Sequence, residues 1–302
     1  MAGRIFSPGK LLLTSEYVVL DGALALALPT KWGQEFFYEE IEDGRSLISW
    51  TAMHKCVPWL QAEIDYRHGK VLSTNLPDSA AFILKVLLQI KETSGAQLQK
   101  DSSYSLTTNL QFPPDYGLGS SSTLMNNLAE WAETDPFVLN EICLGGSGYD
   151  IAVAKARKAV LYQNLGSERK TETLKYNPVF KNELIFIHLN QKQNSRDGIK
   201  LYREKTASSS FISEFSELTH QIVQAYNLQD FSDLMAFHEE KLSDFLGMET
   251  VKQKHFSDCP VFVKSLGAWG GDFVMSTKFP GYENYFWAKG FSTVFDWKGL
   301  IL

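Results

Sequence analysis

Long apolar runs are missing from this chain. None of its 302 residues lies in a stretch apolar enough to span a bilayer, so no membrane-crossing helix is expected. The opening residues, Met1 to Phe6, run quickly into charge at Lys10 and Glu16 and hold no signal-peptide core, so no leader is expected. Cysteine is scarce as well. Cys56, Cys143 and Cys259 are scattered and odd in number, which excludes a disulfide framework and any metal spacing. A reducing compartment, the cytoplasm, follows as the expectation. Nor is there an excess of positive charge. Lys and Arg number 29 against 35 Asp and Glu, a formal net charge of -6, and no basic stripe dominates. That argues against a nucleic-acid partner. Internal repeats and low-complexity tracts are also absent. What remains is 44% hydrophobic and 21% charged residues, an ordinary globular composition of a length that suits one large or two medium domains.

The most informative stretch is Pro113-Pro114-Asp115-Tyr116-Gly117-Leu118-Gly119-Ser120-Ser121-Ser122-Thr123. The prolines end what precedes it, and the two glycines allow close backbone approach. The hydroxyls then lead into a helix-favouring apolar run, Leu124 to Trp131. Loop, hydroxyls and helix start in that order build an anion site, because free N–H groups and the positive helix end converge. Phosphate is the usual guest, and a serine hydroxyl can reach a magnesium ion held by it. Taken alone, the same residues also describe a Gly/Ser turn capping a helix. No Gly-Lys-Ser/Thr follows, so this is not a Walker loop, and the glycine spacing is wrong for a dinucleotide fold.

Around it, Leu11 to Leu13 reads as a buried strand after the Pro8-Gly9 turn, with Lys10 and Glu16 at its ends. Val18 to Leu20 and the Ala/Leu run to Pro29 read as two strands joined at Asp21-Gly22. Residues 33–76 read as strands and loops without chemistry, and His54 and His68 as packing or surface residues. Residues 79–93 carry helical spacing that ends near Gly95. Gly145-Gly146-Ser147-Gly148-Tyr149-Asp150 puts a carboxylate on a Gly/Ser turn, which by itself fits a helix N-cap. Residues 159–176 alternate as strands, and a domain boundary is expected near Asn177-Pro178, dividing the chain into 1–177 and 178–302. Further on, Leu184 to Leu189 reads as a buried strand, and Ser195 suits a helix cap. Lys192 and Arg196 are either solvated surface charges or a grip on an anionic substrate. Two amphipathic helices, 210–226 and 231–246, pair as a hairpin with His238 on the apolar stripe in a packing role. Gly267-Ala268-Trp269-Gly270-Gly271-Asp272 implies close backbone approach between strands. The aromatic tail from Tyr285 to Leu302 reads as strand that closes the C-terminal sheet.

Together these segments resemble the GHMP small-molecule kinases. Pro8 to Tyr17 is similar to their first motif, with Ser15 where glycine is usual. Pro113 to Ser121 is similar to the second, and Gly267 to Asp272 to the third, with Trp269 in place of a glycine. Gly148-Tyr149-Asp150 resembles the catalytic-aspartate segment in its phosphomevalonate kinase form. The resemblance implies an α+β, two-domain fold, with an N-terminal domain like ribosomal protein S5 domain 2 and a ferredoxin-like C-terminal domain. It implies ATP and Mg2+ as cofactors, held in the cleft between the domains. It further implies Asp150 and Lys10 as catalytic residues, and Gly117, Leu118, Gly119, Ser120, Ser121 and Ser122 as the phosphate cradle, Ser121 also touching the metal. Glu16, Ser147, Gly148, Lys192, Ser195, Arg196, Gly267, Ala268, Gly270 and Gly271 would face the substrate. The implied acceptor is small and anionic, phosphomevalonate first and mevalonate second. Homoserine, a sugar, or a non-catalytic metabolite-binding role are the alternatives.

Overall fold

In this computed structural model residues 2–166, 168–191, 195–267, 269 and 271–302 are described, with the backbone alone at Ser195 and Arg196. In chain order the elements are β1 (Ala2–Leu12), β2 (Ala25–Ile41), β3 (Leu47–His54), β4 (Val57–Asp65), β5 (Lys70–Thr74), α1 (Pro77–Thr93), β6 (Ser103–Leu110), α2 (Ser120–Trp131), α3 (Pro136–Cys143), α4 (Tyr149–Ala156), β7 (Ala159–Asn164), β8 (Arg169–Leu174), β9 (Leu184–His188), α5 (Ser195–Arg203), α6 (Ser209–Gln224), α7 (Leu228–Leu246), α8 (Val251–His255), β10 (Val263–Leu266), β11 (Phe273–Thr277), α9 (Tyr282–Ala288), β12 (Val294–Asp296) and α10 (Trp297–Leu300). The mixed α+β class expected from the sequence is the one the chain adopts. No described helix is long and apolar enough to cross a membrane.

The chain forms two compact units that interleave in sequence. The first comprises Met1–Gly9, Trp32–Pro114 and Gly119–Arg157. Its sheet runs β5-β4-β3-β6-β2, antiparallel except where β3 lies parallel to β6. Helix α1 buries Ala80, Ile83, Val86, Leu87 and Ile90, one stripe at helical spacing, against Phe36, Trp50 and Leu106 of the sheet. Pro77 opens this helix, where its missing N–H costs nothing. Helix α2 is held in register by buried polar contacts. Asn126 Nδ2 donates to Ser7 Oγ (2.8 Å), Ser7 Oγ to Asn127 Oδ1 (2.7 Å), and Asn127 Nδ2 to Gln34 O (2.9 Å). Buried amides satisfied in this way fix a helix in rotation, because any slip would leave them unpaired.

The second unit comprises Lys10–Lys31, Asp115–Leu118 and Lys158–Leu302. Ala25 to Ala27 of β2 pair with β7, and β7 pairs with β8. A separate four-stranded antiparallel sheet runs β10-β11-β9-β12. One core gathers Ile187, Val263, Val274, Phe256 and Phe286. Another packs Tyr17, Tyr202, Phe215, Leu242 and Trp269, with α6 and α7 paired as the sequence predicts.

Two local expectations are corrected. Val18 to Leu20 belongs to a single 3-10 turn, Val18–Asp21, and not to a strand. Ser15 and Tyr17 both have φ of 61°, which no strand accommodates, and Gly22 closes the turn at φ 94°. The aromatic tail is strand only at β12, which does close the four-stranded sheet beside β9, with α9 before it and α10 after it. Gly281 (φ 78°) starts α9, and Asp296 caps α10 by accepting from the Gly299 N–H at 2.6 Å.

Candidate active site

In the second unit the site begins at Lys10, near the end of β1. Its Nζ donates to Gly117 O at 3.0 Å, and its N–H donates to Leu118 O at 2.9 Å. The lysine is thus tied twice to the glycine loop. Gly117 has φ 64°, and a Cβ there would fall on the Asp272 carboxylate. Glycine is required on both counts. Tyr116 packs its ring on His188, centroids 4.3 Å apart, and edge-on to Phe273 at 5.6 Å. The first half of the loop is therefore seated on β9 and β11 by an aromatic contact and by the aspartate that ends the Gly-rich segment.

The same unit holds a buried polar cluster. Glu16, Lys264 and His238 are fully buried and Glu239 nearly so. Lys264 Nζ donates to Glu16 Oε1 at 2.5 Å and to Ser265 O at 2.9 Å. Ser265 Oγ donates to Glu239 Oε1 at 2.9 Å. Burial pushes the Glu16 carboxyl up to about 7, against the opposing pull of Lys264. Glu239 is raised by burial too. Burial, reinforced by Lys264, holds His238 well below its ordinary value, so its ring is neutral. That agrees with its Nε2 accepting from the Ser15 N–H at 2.8 Å. Ser15 stands where the resemblance expects glycine and still adopts the left-handed backbone. Its N–H bond to His238 and its Oγ bond to Leu24 O (2.6 Å) hold it there. His238 therefore does more than pack. It faces Phe215 edge-on and also pins the first-motif turn.

Trp269 donates its N–H to Tyr17 Oη at 2.7 Å, and its indole lies in the core with Tyr17 and Tyr202. At 5% exposure it covers no open surface. Tyr17 Oη also abuts Gly198 of α5, where a Cβ would collide with it. Gly267 (φ 77°) has open space around it, and Gly271 is buried. Lys192, Ala268 and Gly270 lie outside the described residues, as do the side chains of Ser195 and Arg196 at the start of α5.

In the first unit, Gly119 (φ 83°) ends the loop and starts α2, with no side chain capping the helix. Its first turn presents Ser120 half-buried, Ser121 exposed and Ser122 buried. Asp150 sits in the first turn of α4 behind Gly148 (φ 87°) and the buried Ser147. Its Oδ1 accepts from the Ile151 N–H at 3.0 Å, and its Oδ2 accepts from Ser122 Oγ. Beside Ser120 and Ser121 opens a cavity of about 620 Å3, walled by Trp50, Trp59, Phe82 and Leu124, with Asp78 and His54 among its polar lining. The ring nitrogens Trp50 Nε1 and His54 Nε2 are buried without a partner. Sequence reasoning gave residues 33–76 no chemical role, yet the β3–β4 hairpin walls this cavity. Alternating aromatics mark a strand and do not announce a hollow. Lys264 went unnoticed too, since a lone lysine in a strand carries no local signal of burial.

Among the described residues no group of three or more His, Cys, Asp or Glu is gathered as for a metal. Magnesium held mostly by phosphates and water needs only one or two protein oxygens, and the exposed Ser121 hydroxyl at the helix start fits that requirement.

The fold is that of the GHMP small-molecule kinases. No family model and no curated protein matches the sequence. Among solved structures the chain is similar to the Methanococcus jannaschii mevalonate kinase, at 14% identity over 98% of both chains and a TM-score of 0.70. It is similar to Streptococcus pneumoniae phosphomevalonate kinase in complex with phosphomevalonate and AMPPNP, at 19% identity over 98% of this chain and 99% of that one, TM-score 0.65. Lactococcus lactis galactokinase complexed with galactose is also similar, at 13% identity over 96% and 89%, TM-score 0.67. At these identities the likeness is one of fold.

Proposed function

We propose that this chain is an ATP-dependent kinase that phosphorylates a small anionic metabolite, phosphomevalonate first and mevalonate second. One observation carries the reading: an uncapped helix start bearing Ser120 and Ser121 opens beside an aromatic-walled cavity in a chain of kinase fold. The cavity suits a flat nucleobase between Trp59 and Phe82. The N-terminus of α2 suits the phosphates. Asp150 takes the proton of the acceptor oxygen as that oxygen bonds to the γ-phosphorus and the β–γ bridge breaks, leaving ADP. Lys10, fixed on the loop by Gly117, offsets phosphoryl charge. Magnesium, with Ser121 as its protein ligand, would neutralise charge on the triphosphate. Ser147, Gly148 and the segments around 192–196 and 267–271 belong to the acceptor side of this proposal, Lys192 and Arg196 gripping its charge. The division into 1–177 and 178–302 and a cytoplasmic location, suited to free cysteines, are parts of the same reading.

Trp59 lies in the cavity wall, so ATP binding should quench tryptophan fluorescence. Phe82→Ala should weaken ATP about 10-fold, the loss of roughly 1.4 kcal/mol of ring contact. ADP release should be assayed over phosphomevalonate, mevalonate, homoserine and galactose. Binding without turnover on any acceptor would turn the reading toward a metabolite-binding protein, and no ATP binding at all would overturn it.

A further inference from the structure

Ser122, which the resemblance counts in the phosphate cradle, instead turns its side chain to the proposed base. Ser120 and Ser121 open toward solvent and the cavity, whereas Ser122, the next residue of the same turn, is 4% exposed and points the other way. Its Oγ donates to Asp150 Oδ2. The other carboxylate oxygen, Oδ1, accepts from the Ile151 N–H. A carboxylate held at both oxygens cannot turn about its last side-chain bond without losing a donor. We propose that Ser122 is a positioning residue for Asp150: it sets the direction of the base relative to the phosphates carried by the same helical turn. The inference rests on the kinase reading above.

Positions one apart on a helix point about 100° apart, so Ser121 and Ser122 cannot serve one ligand together. One faces the triphosphate and the other the base. With α2 locked by Ser7, Asn126, Asn127 and Gln34, the Ser122 hydroxyl is a rigid reference, and Asp150 inherits that rigidity. Two acceptor sites remain on the carboxylate for the incoming hydroxyl. Displacement by about 1 Å in such an arrangement costs up to roughly 100-fold in rate.

The test compares the wild type with S122A, S122C, D150N and S122A/D150N. S122A should lower kcat about 10- to 100-fold while the KM for ATP moves less than about twofold. S122C refills the space with a poor donor and should recover little, whereas a residue that only fills space would be rescued. In the D150N background, removing the hydroxyl should change kcat little. Additive losses, recovery by S122C, or a rise in the ATP KM matching the fall in kcat would each overturn the proposal. Should the wild type phosphorylate no acceptor, the kinase reading fails separately. Crystal structures of wild type and S122A then decide the positioning itself: a carboxylate that turns away in S122A supports it, and one that keeps its place overturns it.

Discussion

Lys264→Met is the most revealing single change outside the proposed catalytic groups. Lys264 is the sole cation in the buried cluster with Glu16, Glu239 and His238 among the described residues, and its Nζ lies 2.5 Å from Glu16 Oε1. Removing one partner of a buried pair costs about 3–5 kcal/mol where the other carries its charge, which for Glu16 is above about pH 7. At roughly 2–4 °C per kcal/mol, that is a loss on the order of 10 °C in Tm. The loss should depend on pH. In the wild type the Glu16 carboxyl is raised from its ordinary 4.5 to about 7. Between those values the folded state binds a proton that the unfolded state does not, so this group's stabilisation falls as pH rises from about 4.5 to 7 and is then spent. Without Lys264, the main influence lowering Glu16 is gone and the window extends above 7. The gap between variant and wild type should widen above pH 7, by at most about 1.4 kcal/mol per pH unit for one group. Glu16→Gln in the same chain should recover most of the stability and flatten the pH dependence. Melting followed by scanning calorimetry from pH 6 to 8.5 reads all three. A gap that stays constant over that range, or a Lys264→Met loss under about 1 kcal/mol, would refute the reasoning.

Other outcomes follow from the same contacts. Gly117→Ala forces a Cβ onto Asp272 at φ 64°, so ATP binding should weaken more than about 10-fold, measured by fluorescence, with roughly 1–2 kcal/mol of backbone strain seen in melting. Tyr17→Phe leaves the buried Trp269 N–H without its acceptor and should cost about 1–3 kcal/mol in denaturant titration, far more than loss of an exposed hydroxyl would. Trp269→Gly, which restores the residue usual in the resembled motif, should destabilise by about 3–5 kcal/mol through a cavity beside Tyr202 and Leu242, and should not raise activity.

The backbone turns of the candidate site left local signals in the sequence. Gly117 and Gly119 read as places of close backbone approach, and both, with Gly148, adopt positive φ. Helical spacing placed α1, α6 and α7, where a buried stripe repeats every turn, whereas α2, buried nearly all round, showed only as an apolar helix-favouring run. Reading failed where local cues conflicted with distant contacts. Val18 and Val19 favour strand, but buried contacts hold Ser15 and Tyr17 in conformations that begin a tight turn. The aromatic tail favours strand and supplies β12, but Gly281 and Asp296 start helices before and after it.

The sequence alone determined the order of the motifs, the α+β class and the chemistry on offer: hydroxyls, one aspartate and one early lysine, each set by turns a few residues long. Only the tertiary structure decided that Glu16 meets Lys264, 248 residues away, that the Trp269 indole turns into a core, and that Ser122 reaches Asp150. Such pairings depend on which surfaces the packed elements bring together, and burial then sets the charge of what lies between them. Neither the packing nor the burial leaves a mark on neighbouring residues in the chain.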